Sequence, residues 1–331
     1  RRLQEDQGQT HFDMSLQVTI PNEFERIAPI NIGYTAGIET TKVSPVWLQK
    51  CNETMDKIIV VSNHSKRIYE NSSYQITDEA GNLLKESKLT KPVVSVNFPM
   101  KNNRAENLDI ELRDSFNFLM VAQWSIRKNL TSSIKCFLDQ FKNKKVGLVL
   151  KINNRNNSNM DYEVTKARLE EILNKYPDRK CNVYLLHGDL SEQEMTSLYT
   201  NPKIKCLVTL THGEGFGLPI FEAAYNGLPI IAPGWSGHVD FLYHMDKKKV
   251  KPFFSEVEFD ISPIQPQAVW KTVLIKGSKW CYPREESAKK AMLDMHKNHK
   301  KHLLRAKKLK KINEEKYSFD TKAEEFVSAI D

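Results

Sequence analysis

The stretch Thr209–Leu242, TLTHGEGFGLPIFEAAYNGLPIIAPGWSGHVDFL, decides how this chain is read. It leaves a short apolar run and enters a helix. Gly215 and Gly217 flank Phe216 where the backbone must turn tightly and approach a ligand closely. Pro219 suits a first helical turn. The helix expected over Ile220–Tyr225 aims its N-terminus back at that loop, and exposed N–H groups there form an anion site. A pyrophosphate is the natural occupant. Glu214 on the loop and Glu222 on the helix can bracket a bound ligand, because carboxylates accept strong charge-assisted hydrogen bonds from sugar and ribose hydroxyls. Asn226-Gly227-Leu228-Pro229 then ends the helix before the next strand.

Around this block, strands alternate with helices. Short apolar or β-branched runs at 57–61, 93–97, 117–122, 146–152, 182–186, 206–210 and 229–232 suit strands buried on both faces of a parallel sheet. Between them, Leu130–Phe141 and Tyr162–Lys175 read as helices, and Ser191 with Glu194 forms a capping box at the head of Ser191–Tyr199. The alternation implies βαβ units and a doubly wound α/β fold. Residues 98–116 are polar and aperiodic and read as a linker, and Ile76–Lys91 reads as a hairpin-like insertion around Ala80-Gly81-Asn82. At roughly 100–200 residues per domain, 331 residues make two domains.

Composition sets the class. The chain is 40% hydrophobic and 27% charged, as soluble globular proteins are, and no apolar run reaches the roughly 20 residues of a membrane-spanning helix. Five scattered cysteines without a CxxC pair argue against a disulfide framework or zinc site and suggest a reducing, cytoplasmic setting. The chain opens at Arg1 with neither an initiator Met nor a secretory signal, so its front is expected to be either missing from this chain or reduced in the protein. Net charge is +8, and residues 286–316 alone hold eleven Lys or Arg against four Asp or Glu. Helical spacing there gives either a solvated basic face or a surface for an anionic partner. His296, His299 and His302 share that expected helix, but no carboxylate set accompanies them and no metal is expected.

Taken together, Glu-x7-Glu enclosing GFGLP resembles the donor-binding signature of retaining GT-B glycosyltransferases, in particular the family-4 glycosyltransferases. Phe118–Asn129 (FLMVAQWSIRKN) is similar to that family's first strand and phosphate loop of the second domain, and Tyr317–Ile330 to its closing helix. The resemblance implies an α/β GT-B fold: two facing Rossmann-like domains with a donor cleft between them, the N-terminal one incomplete at its opening βαβ unit. The expected divisions are 1–100 (acceptor side), 101–116 (linker), 117–310 (nucleotide-sugar domain) and 311–331 (a helix packing back toward the first domain).

The resemblance also implies roles. Glu222 would hold the donor ribose and Glu214 would face the transferred sugar, while Gly213, Gly215, Phe216, Gly217 and Leu218 would meet sugar and phosphate. Lys128 matches the family lysine that neutralises the diphosphate. Gln123 stands where the family usually has an arginine, so Arg127 is the candidate replacement. Gly237 and Asp240 occupy a region where the family often has a glycine followed by Glu. His64 and Glu39, near likely strand ends, are candidates for sugar or acceptor contacts. The co-substrate would be a nucleoside diphosphate sugar, with no other cofactor and no metal. The acceptor would be a glycan or lipid hydroxyl, or alternatively a hydroxymethylated pyrimidine in viral DNA, with Tyr34, Trp47, Trp124 and Trp235 as candidate stacking residues. A non-catalytic sugar-nucleotide-binding protein and an epimerase on the same scaffold are the remaining readings.

Overall fold

The computed structural model describes residues 12–77 and 83–331. Arg1, and with it the expectation about the front of the chain, lies outside them. The chain divides into two compact units. One comprises residues up to Phe98 together with Pro263–Lys279 and Asp320–Asp331, and the other comprises Pro99–Ser262 with Trp280–Phe319.

In the first unit, β1 (Met14–Val18), β2 (Ile30–Thr35), β3 (Lys57–Val60) and β6 (Val93–Ser95) form a parallel sheet in the order β1-β2-β3-β6. A 3-10 turn, Pro21–Glu23, stands between β1 and β2 where a crossover helix would be usual. Helices α1 (Pro45–Thr54) and α2 (Asn63–Asn71) follow β2 and β3. Side chains alternate along β3 as a strand requires. Ile58 and Val60 join Trp47, Leu48 and Tyr69 on one face, and Ile59 meets Ile32, Val96, Phe326 and Ala329 on the other. The helix Phe319–Ile330 thus covers the second face, which explains why Ile58, Ile59 and Val60 are all apolar. The hairpin pairs β4 (Ser73–Thr77) with β5 (Leu83–Lys88) antiparallel; its Ala80-Gly81-Asn82 turn lies outside the described residues.

The second unit holds β7 (Asn117–Gln123), β8 (Gly147–Asn153), β9 (Asn182–Leu186), β10 (Ile204–Val208), β11 (Ile230–Pro233), β12 (Tyr243–Asp246), β13 (Lys249–Pro252) and β14 (Ser255–Val257). Six of these make an all-parallel sheet in the order β14-β11-β10-β7-β8-β9, while β12 and β13 form a separate hairpin. Read from β9, this is the 3-2-1-4-5-6 order of a dinucleotide-binding sheet. Its helices are α3 (Leu130–Phe141), α4 (Asn159–Leu173), α5 (Glu192–Thr200), α6 (Leu218–Tyr225), α7 (Val239–Leu242), α8 (Glu285–Lys297) and α9 (His299–Lys316). The capping box at α5 is present in full. The core runs from Phe118 and Leu148 through Phe137 and Phe141 to Met292.

Residues 98–116 carry no regular element, yet they are tied down. Glu106 N–H donates to Ser197 Oγ at 2.8 Å, Arg113 N–H to Tyr184 Oη at 2.9 Å, and Lys203 Nζ to the Leu112 carbonyl at 2.7 Å.

The basic stretch departs from expectation. It is two helices, broken at Asn298, so His296 lies on α8 and His299 and His302 on α9. These histidines have structural partners. His302 Nε2 meets Asp294 Oδ2 at 2.8 Å and its Nδ1 meets Ser255 Oγ at 3.1 Å, His299 Nε2 meets the Lys205 carbonyl at 3.1 Å, and the His296 ring packs on Phe116.

Phe118 is fully buried near the start of β7 with three phenylalanine rings around it. Phe118→Ala should therefore destabilise the second unit by about 3–5 kcal/mol in urea melts followed by near-ultraviolet circular dichroism. A loss below about 1 kcal/mol would mean that this core is not the one described.

Candidate functional site

Strand order in the second unit reverses between β7 and β10. Ligands of open parallel sheets bind beyond the carboxyl ends of the strands at such a reversal. The loop after β7 carries Arg127 and Lys128, and the loop after β10 carries Gly213–Gly217. Backbone hydrogen bonds stitch the two together. The Arg127 carbonyl accepts from the His212 N–H at 2.8 Å and from Thr211 Oγ1 at 3.2 Å. Asn129, at φ 52°, caps α3 and donates its amide to the Leu210 carbonyl at 3.1 Å.

Glu214 sits at the meeting point. Lys128 Nζ donates to its Oε1 at 2.6 Å and Arg127 Nη1 to its Oε2 at 3.1 Å. Arg127 Nη1 also donates to the Gly213 carbonyl at 2.7 Å. Side-chain exposure is 7% for Glu214, 15% for Lys128 and 24% for Arg127. Burial pushes the Glu214 carboxyl up, but the two cations outweigh it and hold the group down to about 2.

The loop after β11 completes the frame. Ser236 Oγ accepts from the Glu214 N–H at 2.9 Å, and the Gly237 N–H donates to the Glu214 carbonyl at 2.8 Å. Gly237 is required here, since a Cβ would stand 2.0 Å from the Gly215 carbonyl oxygen. Gly217 adopts φ 94° as the N-cap of α6, a conformation only glycine takes without strain.

The other sequence candidates fall into distinct places. Glu222, half-buried on α6, accepts from the Tyr199 hydroxyl at 2.7 Å; burial raises its carboxyl and Tyr199 pulls it back. It shares no hydrogen bond with the Glu214 cluster among the described residues. Phe216 is turned inward, its ring 5.1 Å from both Phe221 and Phe241, so only its backbone can face a ligand. Leu218 is exposed. Gln123 ends β7 and donates to the Arg155 carbonyl at 3.1 Å. Asp240 lies in the first turn of the short α7, its carbonyl accepting from the Tyr317 hydroxyl at 2.8 Å.

In the first unit, His64 is buried at the start of α2, just past the carboxyl end of β3, and Glu39 follows β2. Asn31 is the second residue of β2 and is buried. Its Oδ1 accepts from Ser15 Oγ at 2.9 Å and from the Ile27 and Ala28 N–H groups at 3.1 Å, which makes it structural. Trp47 and Trp124 are buried and Tyr34 packs edge-on against Phe326, so these three are not free stacking surfaces. Trp235 is half-buried.

A cavity of about 390 Å³ opens at the carboxyl ends of β7 and β8, lined by Gln123, Lys128, Lys151, Asn153, Asp189 and Pro219 among others. Lys151, Asn153 and Asp189 were not foreseen from sequence. Lys151 did carry a signal, a lone cation inside the apolar run 146–152. Its Nζ donates to the Gly188 carbonyl, and burial lowers its pKa. No three His, Cys, Asp or Glu among the described residues are grouped to hold a metal ion.

No protein-family model matches the sequence, and no curated protein matches it either. Solved structures do match in fold. The sucrose-phosphate synthase of Thermosynechococcus elongatus superposes with a TM-score of 0.64 at 12% identity over 98% of this chain and 75% of its own. The E. coli trehalose-6-phosphate protein bound with UDP-2-fluoro glucose gives 0.61 at 12% identity, over 99% and 75%. The pneumococcal O-GlcNAc transferase GtfA, in complex with UDP and GlcNAc, gives 0.52 at 11% identity, over 91% and 52%. The chain thus spans about half the length of that transferase. Together with the two parallel sheets, these matches establish the GT-B fold, with two Rossmann-like domains.

Lys128→Ala should raise the Glu214 pKa from about 2, because burial then faces a single cation. Carbon-13 NMR of labelled glutamate reads this directly, and a midpoint left near 2 in the variant would refute the electrostatic account. The sign for stability follows from linkage. A depressed carboxyl stabilises the fold above the ordinary carboxylate range, and that contribution is lost as pH falls from there toward about 2.

Proposed function

We propose that this chain is a glycosyltransferase that moves a sugar from a nucleoside diphosphate sugar to an acceptor hydroxyl with retention of configuration. One observation carries the reading: Lys128 and Arg127 converge on Glu214 at the strand-order reversal, beside the glycine loop that opens α6. Lys128 and Arg127 thus bring two cations to the place where a diphosphate would lie. Two of the similar structures carry UDP or a UDP sugar, which makes a UDP-sugar the donor of choice.

In this reading the bond from the anomeric carbon to the diphosphate oxygen breaks, and its electron pair leaves with the diphosphate. Lys128, Arg127 and the N–H groups at the head of α6 stabilise that growing charge. The acceptor oxygen bonds to the anomeric carbon on the same face, and its proton passes to a diphosphate oxygen. Glu214 faces the transferred sugar, and Glu222, oriented by Tyr199, accepts from the ribose hydroxyls. His64 and Glu39, both past carboxyl ends of first-unit strands, are assigned to sugar or acceptor contact. Because the two side-chain cations already serve the diphosphate, activity should persist in EDTA.

The acceptor is read as a glycan or lipid hydroxyl. A DNA acceptor drew its support from the basic stretch. However, the junction of α8 and α9 packs at Lys205, near the amino end of β10, at the opposite end of the strand from Glu214.

Glu222→Ala should weaken UDP-sugar binding at least tenfold, about 1.4 kcal/mol, by calorimetry. Unchanged affinity would remove Glu222 from the donor site. Slow hydrolysis of the bound donor by the wild type would separate the transferase from a non-catalytic binder, which would leave the donor intact.

A further inference from the structure

We infer that a second cavity, at the amino ends of β10 and β11, is a binding site for an organic phosphate: one phosphoryl group joined to a flat apolar body. The hollow measures about 380 Å³ and lies between the strand starts, the C-terminal end of α6 and the flank of α9. It is separate from the Glu214 cluster, which occupies the carboxyl ends of the same strands.

Its walls have two characters. Tyr199, Ile204, Leu228 and Leu303 give an apolar floor. Lys205, Lys307 and Lys310 also line it and gather three cationic side chains there. Lys310 has Glu314 at 3.8 Å, with both side chains more than 40% exposed, which is a weak pair. Lys205 Nζ turns to the Pro202 carbonyl, and neither Lys205 nor Lys307 has a carboxylate ion-pair partner among the described residues. Three like charges gathered on a concave apolar surface repel one another, and a bound anion relieves that repulsion. An inorganic ion would satisfy the lysines and leave the floor wet; a purely apolar molecule would do the reverse. A volume near the low end of small-molecule pockets fits one ring and one phosphate.

Two amides also face this region. Asn226 donates Nδ2 to the Glu222 carbonyl at 2.9 Å and Asn201 accepts through Oδ1 from the Lys203 N–H at 2.9 Å, so each uses one end of its amide internally. The remaining ends can meet the polar edge of a ring. A nucleotide has this combination of ring edge and phosphate, either free or as the terminal unit of a single strand.

The test is calorimetry with three probes on the whole chain: phenyl phosphate, inorganic phosphate and phenol. Phenyl phosphate should bind more tightly than either fragment. The triple variant Lys205→Gln, Lys307→Gln, Lys310→Gln should weaken it about tenfold or more. Leu303→Trp, which fills the hollow and leaves the charge, should weaken it as well. UDP affinity, which reports the Glu214 end, should stay unchanged in both, so this site and the donor reading can fail separately. Phenyl phosphate binding that is absent in the wild type, or equal in wild type and triple variant, would overturn the proposal. Competition by a nucleoside monophosphate or by an oligonucleotide bearing a 5′-phosphate then tells a free ligand from a strand end.

Discussion

The second unit is organised around one buried carboxylate held by two cations. Glu214 is nearly solvent-free, and an isolated carboxylate there would protonate or destabilise the fold. Lys128 and Arg127 keep it charged, and both come from the other side of the strand-order reversal. The ion cluster therefore fixes the loop after β7 against the loop after β10. Ser236 and Gly237 add the loop after β11 through the Glu214 backbone. Breaking such a cluster by removing one member costs more than the pair's net worth, because the remaining charge stays buried. The cluster also keeps both cations in place before any diphosphate arrives, so little reorganisation is required of them.

Much of this was legible in the sequence, and the reasons are physical. Strands β7 and β8 lie inside the six-stranded sheet and are largely buried, so they read as apolar runs. The glycine loop was legible because its backbone conformation restricts residue choice, as φ 94° at Gly217 and the close approach at Gly237 show. By contrast, β1 is an edge strand with exposed alternate residues, and β2 contains Asn31 and Gly33, which disguise it. The hairpin β12–β13 reads Asp246-Lys247-Lys248-Lys249 at its tip and has no apolar run to betray it. The break at Asn298 was hidden because helical spacing continues across it without Gly or Pro. Lys151, Asn153 and Asp189 meet Lys128 only through the sheet, across connections that local patterns do not encode.

The two ends of the second-unit sheet differ in chemistry. At the carboxyl ends, cations are neutralised in part by Glu214 and enclosed by backbone. At the amino ends, lysines of α9 and β10 surround an apolar hollow with little counter-charge. Helix α6 spans the two, with the glycine loop at its head and Asn226-Gly227 at its foot, and Glu222 lies between them, bonded to Tyr199 on the floor of the lower cavity. The uneven distribution of the net +8 thus maps onto separate places, and only the cations of the upper one belong to the proposed transfer chemistry.

The central claim is that Lys128 and Arg127 are placed for a diphosphate. Calorimetric titration of UDP and of uridine, into the wild type and into Lys128→Ala, tests it most directly. The account predicts that UDP binds the wild type far more tightly than uridine does, and that this gap narrows sharply in the variant while uridine affinity holds. UDP binding no better than uridine, or a gap unchanged by Lys128→Ala, would contradict it.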